Sequence, residues 1–323
     1  MKRLLALALA CVVGCGTSGD PWEGTEKKRV VVTIPPLAAW VHEVGGDQVA
    51  VRMLCDKTGP HGYQADPREL AAFKSNDLFL SIGLGLDDNI TRRLVGQYRR
   101  KQADPVKLGL SLPAFHDKDK KVPVLLDAEA HHHDEAGGEP HHDHGKHDPH
   151  VWLGVPEAVL LVEAIRDELA RLDPDHAADF KKNAEDCVGK LKALEKEGKA
   201  LVAKKKSRKF IAFHDSFRYF ARSFGLEQAD AMQLAADSST PGKVAKIVEK
   251  CRKEGIRAIT VEPQFATGTA KTVKDELGKH KELTLVEVDP LETGDAKKVA
   301  EEKGDWYLKR MRKNLEALAG ALP

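Results

Sequence analysis

Residues 174–205 read PDHAADFKKNAEDCVGKLKALEKEGKALVAKK, and their apolar side chains recur at helical spacing. The residues on this apolar face are Phe180, Ala184, Cys187, Leu191, Leu194 and Leu201. Asp173 followed by Pro174 is a typical helix start, because proline fits the first turn of a helix. The pattern predicts one helix of about 30 residues, roughly 45 Å long. A flexible linker would instead be rich in glycine and serine, and only Gly189 and Gly198 interrupt this pattern.

The sequence on either side of this helix contains apolar, β-branched runs that are each followed by a helical pattern. The predicted strands are 29–34, 49–54, 77–82 and 122–126 before the helix, and 209–213, 258–261 and 284–288 after it. This alternation is typical of parallel sheets with crossover helices, such as the one predicted at 242–253. We therefore expect an α/β fold of two lobes, each a parallel β-sheet flanked by helices, joined by one long rigid linker helix. The predicted division is 29–172, 173–205 and 206–323.

The N-terminal segment has the features of a lipoprotein signal. Two basic residues, an apolar run at 4–13 and Gly14 precede Cys15. We expect cleavage before Cys15 and a lipid on its thiol, with 1–28 as signal and tether. A membrane-spanning helix is the alternative, but the run is far shorter than the roughly 20 residues that a bilayer requires. Cys11 is a weaker lipidation candidate. The expected location is the periplasmic or extracellular face of a bacterial membrane, where the lipid anchors the chain.

Charge and cysteine content argue against a nucleic-acid-binding surface and against a structural zinc site built from cysteines. The net charge of +1 arises from 51 basic and 50 acidic residues spread along the chain, which argues against a nucleic-acid surface. After lipidation, Cys55, Cys187 and Cys251 remain, an odd number that allows at most one internal disulfide. None of them forms a C-x-x-C pair, so a structural zinc site built from thiolates has little support.

The segment 130–147 contains half of the 14 histidines in the chain, together with acidic residues and Gly137-Gly138. These histidines are His131, His132, His133, His141, His142, His144 and His147. Such a composition cannot form a packed core, so we expect an exposed loop inserted into the first lobe. Three functions stay open for this loop. It binds zinc weakly and passes the ion to a second, buried site, it senses metal sufficiency, or it is a solvated insertion with little effect.

Four further residues are candidate metal ligands: His61, His150, His214 and Asp289. His214 and Asp289 each follow a predicted strand, and ligands of open α/β sheets bind at that edge. Three imidazoles and one carboxylate would fill the tetrahedral shell of zinc, which suits capture and release better than catalysis. Taken singly, each residue also has an ordinary structural explanation as a turn or strand-end residue. The H-E-x-x-H motif of zinc hydrolases is absent, and we expect no enzyme.

Short motifs distributed over nearly the whole mature chain suggest a family. They are GPHGY at 59–63, GLGLD at 83–87, DPHVWL at 148–153, FHDSF at 213–217, VEPQF at 261–265 and DPL at 289–291. With these motifs the chain resembles the zinc-uptake binding proteins of the ZnuA type. They belong to the metal-specific class, cluster A-I, of ABC-transporter solute-binding proteins.

The resemblance implies two α/β lobes with a metal ion between them. It places the three histidine ligands on His61, His150 and His214 and the carboxylate on Asp289. Manganese-binding relatives typically have a carboxylate at the third position, so His214 favours zinc. Glu262, in the VEPQF motif, either orients a ligand imidazole or caps a turn.

The function implied by the resemblance is capture of Zn²⁺ and its delivery to the ABC permease and ATPase of an importer, by a monomer held at the membrane through its lipid. Two alternatives stay open. One is an importer subunit for Mn²⁺ or Fe²⁺, and the other is a surface lipoprotein that buffers zinc or acts as an adhesin.

Overall fold

The structure, a computed structural model, describes residues 21–60, 63–99, 108–109, 125–127, 147–232, 241–263 and 275–323. Three predicted features lie outside these residues. They are the lipidation signal with Cys15, the candidate ligand His61, and the histidine-rich segment apart from His147.

The first lobe is built on a parallel sheet with the strand order β2-β1-β3-β4. Its strands are β1 (Lys28–Val32), β2 (Val49–Met53), β3 (Leu78–Leu80) and β4 (Leu108–Gly109). Val30, Val31 and Val32 in the central strand β1 are fully buried. Continuous burial of this kind is typical of a parallel sheet that is covered on both faces.

Three helices of the first lobe follow its strands: α1 (Pro35–Gly45), α2 (Pro67–Lys74) and α3 (Asp88–Arg99). The Pro35-Pro36 pair begins α1. Proline is tolerated there because backbone N–H groups in the first turn of a helix make no intrahelical hydrogen bond. A capping box begins α2. The Asp66 carboxylate accepts from the Glu69 backbone N–H, and the Glu69 carboxylate accepts from the Asp66 N–H.

The second lobe contains a parallel sheet with the strand order β6-β5-β7-β8. Its strands are β5 (Lys209–Ala212), β6 (Glu227–Ala231), β7 (Ala258–Val261) and β8 (Thr284–Glu287). Two parallel sheets in separate halves of the chain confirm the predicted fold class.

Two long helices lie between the two sheets in the sequence: α4 (Val155–Leu172) and α5 (Ala177–Val202). With 26 residues, α5 is about 39 Å long, and its existence confirms the predicted long helix. Phe180, Cys187 and Leu194 are buried as expected, but Val202 takes the place of Leu201. A seven-residue spacing drifts by about 20° per heptad around a straight helix, so the fourth member of the series, Leu201, lies at the margin of the buried face and is only partly buried.

The second lobe also includes α6 (Arg218–Phe224) and α7 (Pro241–Glu254), and the chain ends with α8 (Ala296–Glu302) and α9 (Gly304–Ala321). Although α8 and α9 follow the second sheet, both pack against α1 of the first lobe. The Trp40 and Tyr307 rings, 4.8 Å apart between centroids, form part of this contact. Sequence order alone places these helices in the second lobe, and the boundary at 206 stays a prediction.

Two strands are absent from the sequence analysis, and one predicted strand lies mostly outside the described residues. The edge strand β6 reads EQADA and is only partly buried, so its sequence has no apolar periodicity. The other missed strand, β4, has two residues. Of the predicted strand 122–126, residues 125 and 126 are described and have no strand assignment. The neighbouring Asp127 forms an isolated antiparallel bridge with His147.

Within the described residues, Cys55, Cys187 and Cys251 are all buried as free thiols. In the same part of the chain, every helix is too short or too polar to cross a bilayer.

Candidate metal site

The candidate site lies where the C-terminal edge of the second sheet meets the first lobe. His214 follows β5, Glu262 follows β7, and Glu292 lies in the loop after β8. His150 comes from the other side, immediately before the 3-10 turn Val151–Leu153 that leads into α4. The parallel strands end at one edge, which brings side chains from distant parts of the sequence together.

His150, His214 and Glu292 form a group of potential metal ligands. One ligand atom of each lies within 4.8 Å of those of the other two. The two imidazole rings are 5.1 Å apart between centroids, and His150 Nε2 is 3.6 Å from Glu292 Oε1. Since zinc ligands lie about 2.0–2.2 Å from the ion, small side-chain rotations would bring all three atoms onto one ion.

His150 is oriented by Asp148. The Asp148 Oδ1 atom accepts from the His150 backbone N–H at 3.0 Å and lies 2.8 Å from His150 Nδ1. This contact leaves Nε2 facing the group, where it is buried and has no hydrogen-bond partner among the described residues. A carboxylate on the far nitrogen fixes the tautomer and orientation of a ligand imidazole. The sequence analysis does not identify Asp148, although Asp-Pro-His is a turn signal in which the aspartate bonds to the backbone two residues later.

The charge around His150 favours its protonated form when no metal is bound. Burial alone lowers the pKa of His150, but the adjacent Asp148 and Glu292 carboxylates outweigh burial and raise it to about 10. A cation is therefore electrostatically favoured at this position.

Glu262 stands in a similar relation to His214. Its Oε1 atom lies 3.6 Å from His214 Nδ1, and the Glu262 side chain is completely buried. Burial raises the pKa of Glu262 despite the opposing influence of His214. Burial also acts to lower the pKa of His214, but Glu262 more than compensates and raises it. Each of the two imidazoles thus has a buried carboxylate beside its Nδ1 atom.

Asp289 lies outside the group. Its Oδ1 atom accepts from the Leu291 backbone N–H at 2.8 Å, and its Oδ2 atom is 3.8 Å from Arg310 Nε. Among the described residues, the group therefore includes Glu292 and not Asp289. The Pro290-Leu291 turn carries the chain from the strand end toward the imidazoles, and strand-end position alone does not show where a side chain points. The acidic residue three positions after Asp289 is the signal that could have identified Glu292.

The loop that precedes His61 lies against Glu292. A Cβ atom added to Gly59 would be 3.2 Å from Glu292 Oε2, and the Gly294 N–H donates to the Asp56 carbonyl at 3.1 Å. Pro60 is buried, and His61 is the next residue in the sequence. The contact brings the described end of this loop to the site, while His61 lies outside the described residues.

The first lobe is tied to α6 of the second lobe next to the site. The Tyr219 hydroxyl donates to the Asp148 carbonyl at 3.0 Å and accepts from the Leu126 N–H at 3.1 Å. The Arg218 guanidinium donates to the Asp127 carbonyl at 2.6 Å. Tyr219 and Arg218 therefore bind described residues that flank the histidine-rich segment on both sides. Of the seven candidate loop histidines only His147 is described, and its Nδ1 atom is 3.4 Å from Asp127 Oδ1.

A family model described as "Zinc-uptake complex component A periplasmic" matches residues 30–321. The chain belongs to this family. Similar proteins include the zinc-binding lipoprotein AdcA of Streptococcus pneumoniae, with 28% identity over 98% of this chain and 60% of the relative. Another is the high-affinity zinc uptake system protein ZnuA of Bacillus subtilis, with 25% identity over 99% of this chain and 96% of the relative. The chain spans about 60% of the length of the streptococcal relative.

Solved structures show the same fold. The Zn(II)-bound ZnuA-like domain of Streptococcus pneumoniae AdcA has 26% identity and a TM-score of 0.68, over 92% of this chain and 99% of that domain. The laminin-binding protein Lbp of Streptococcus pyogenes has 24% identity and a TM-score of 0.68, over 93% and 100% of the two chains. The first of these structures contains zinc.

Proposed function

We propose that this chain is the extracytoplasmic metal-binding subunit of an ABC importer, which captures Zn²⁺ between its two lobes and delivers it to a membrane permease. The observation that carries this proposal is the group of His150, His214 and Glu292, which combines residues of both halves of the chain at one point. Family membership and the zinc named for the relatives support the same function.

The donor set fits zinc. Two imidazoles and a carboxylate are ligands that zinc accepts, and the carboxylates of Asp148 and Glu262 beside the Nδ1 atoms hold the rings in place. We propose His61 as the fourth ligand, since Gly59 lies against Glu292 and His61 is two residues further along the chain. Four protein ligands leave no position for a reactive water, which supports reversible binding without an enzymatic role.

The proposal includes the remaining sequence expectations. Cys15 would carry the lipid that holds the monomer at the outer face of a membrane, near the permease and ATPase of its importer. The histidine-rich segment would act as an auxiliary zinc-binding loop. The division at 173–205 would separate two lobes that hold the ion between them.

The test is zinc content and competitive zinc titration of the purified chain. The variants are His61→Ala, His150→Ala, His214→Ala and Glu292→Gln, beside a deletion of 130–146. Residues that merely orient a ligand change metal affinity about 10- to 100-fold, so loss of a ligand should exceed this range. His280→Ala is the matched control, because His280 lies beside Arg252 and Glu282 and outside the group.

We expect the deletion and the control to retain one tight zinc and the four ligand variants to lose it. Tight binding that follows the 130–146 segment and survives the ligand changes would point to zinc buffering instead. Competition in which Mn²⁺ displaces Zn²⁺ at equal concentration would point to a manganese importer subunit.

A further inference from the structure

The loop between β8 and Glu292 is held at its backbone by neighbouring elements. The Asn314 side chain, buried in α9, accepts from the Asp289 N–H at 2.9 Å and donates to the Asp289 carbonyl at 2.7 Å. The Trp152 indole N–H donates to the Pro290 carbonyl at 2.7 Å. The backbone at the start of the loop is therefore held by both Asn314 and Trp152, independently of the Asp289 side chain.

Leu291 has an unusual backbone conformation in this loop. Its φ is 61°, in the left-handed region, and its side chain is completely buried. Residues with a Cβ atom adopt this region rarely, because the Cβ atom approaches the carbonyl oxygen, and the surroundings must hold them there. The Asp289 carboxylate does so by accepting from the Leu291 N–H at 2.8 Å.

Glu292 directly follows Leu291, so the left-handed residue sets the direction in which Glu292 leaves the loop. Glu292 is 6% exposed, and its Oε1 atom lies 3.6 Å from His150 Nε2. We propose that Asp289 is a positioning residue: its carboxylate holds Leu291 in the left-handed turn that aims Glu292 at the imidazoles. This inference rests on the proposed function in that it takes Glu292 as the ligand of the captured ion.

The variant Asp289→Asn distinguishes a positioning role of Asp289 from direct binding of zinc by its carboxylate. The amide oxygen of asparagine can accept from the same Leu291 N–H, whereas it is a much weaker zinc ligand than a carboxylate. The change also removes the charge beside Arg310. That contact is 3.8 Å long between partly exposed groups and should contribute little.

The experiment is a double-mutant cycle in zinc affinity on the purified full chain, with Asp289→Ala, Asp289→Asn, Glu292→Gln and the double variant Asp289→Ala/Glu292→Gln. We expect Asp289→Ala to weaken zinc binding about 10- to 100-fold, as for other residues that orient a ligand, and Asp289→Asn to restore affinity to within about threefold of the unmodified chain. In the Glu292→Gln background, Asp289→Ala should add less than about threefold, because the two changes act through one ligand.

An Asp289→Asn variant as weak as Asp289→Ala would overturn the inference, since it would make the carboxylate itself a ligand. Fully additive losses in the double variant would also overturn it, as would an Asp289→Ala variant with unchanged affinity. Glu292→Gln with unchanged affinity would instead remove Glu292 from the proposed ligand set, and the positioning role would fall with it.

A second measurement needs no metal. Hydrogen exchange of the Leu291 amide in the metal-free protein should be slow in the unmodified chain and in Asp289→Asn, and much faster in Asp289→Ala. Equal exchange in all three would overturn the inference whatever the zinc titrations show. Slow exchange with rescue by asparagine, in a chain that does not bind zinc, would reject the proposed function and keep the role of Asp289 in shaping the loop.

Discussion

The Nδ1 atom of His150 lies 2.8 Å from Oδ1 of Asp148, and both side chains are only 4% exposed. The same carboxylate oxygen accepts the backbone N–H of His150. One aspartate thus fixes the backbone turn and the imidazole orientation together, and it leaves Nε2 as the nitrogen available to a metal ion.

Replacing Asp148 should therefore weaken zinc binding without removing a ligand. Asparagine keeps an acceptor but loses the charge, so we expect about tenfold weaker affinity, and alanine should approach about 100-fold. Competition titration measures both. Asp186→Asn is the matched control, because Asp186 is exposed on α5, where it pairs with Lys182. An alanine variant with the affinity of the control would contradict this role.

Zinc binding should release protons. The pKa of His150 is raised to about 10 in the metal-free protein, so zinc must displace a proton from this imidazole at neutral pH. The raised pKa of His214 acts in the same direction. We expect affinity to increase from pH 6 to pH 8, and calorimetry in buffers of different ionisation enthalpy to detect the released protons. Zinc binding that is independent of pH and buffer would contradict histidine ligation.

The stability of the metal-free protein should fall as the pH rises, whereas the zinc affinity should increase. Because the folded-state pKa of His150 lies above the unfolded value of about 6.5, its protonation stabilises the fold fully below that pH. This contribution is lost as the pH rises toward 10. Melting temperatures of the metal-free chain should fall over this window, and Asp148→Asn should reduce the slope. A melting temperature that rises between pH 7 and 9 in both proteins would disagree with this assignment.

Two glycines in α5 should respond oppositely to alanine. A Cβ atom at Gly198 would lie 2.3 Å from Phe224 Cδ1 and 2.7 Å from Leu315 Cδ2, so Gly198→Ala should destabilise the protein by about 1–3 kcal/mol. At Gly189 no described atom outside the adjacent helix backbone lies within 4 Å of the added atom, and Gly189→Ala should stabilise the protein by about 0.5–1 kcal/mol. Denaturant unfolding measures both. Equal effects would mean that α5 does not pack tightly on α6 and α9 at Gly198.

Removing the Tyr219 hydroxyl should loosen the contact between the lobes. Tyr219→Phe leaves the Leu126 N–H and the Asp148 carbonyl without their partner, which should cost about 1–3 kcal/mol of unfolding free energy. Because Asp148 orients His150, the variant should also release zinc faster. Stopped-flow chelation measures the release rate. Lower stability with an unchanged release rate would show that the contact has only a structural role.

Much of the fold could be predicted because it depends on local periodicity. The apolar face of 174–205 has the spacing of a helix, and the β-branched runs have the lengths of buried parallel strands. The edge strand β6 could not be predicted, since EQADA is stabilised by pairing with β5 and not by its own composition. The packing of α9 on α1 depends on contacts such as Trp40 with Tyr307, which are far apart in the sequence.

The sequence by itself determined the fold class, the long helix and two of the residues in the candidate site, His150 and His214. Each of these follows from a local pattern or a short motif that does not depend on the rest of the chain. Only the tertiary structure decided that Glu292, and not Asp289, faces the imidazoles and that Asp148 stands behind His150. The physical reason is that side-chain direction depends on a turn and on its neighbours. Leu291 has a left-handed conformation in a loop that is bound by Asn314 and Trp152, and these two residues come from distant elements.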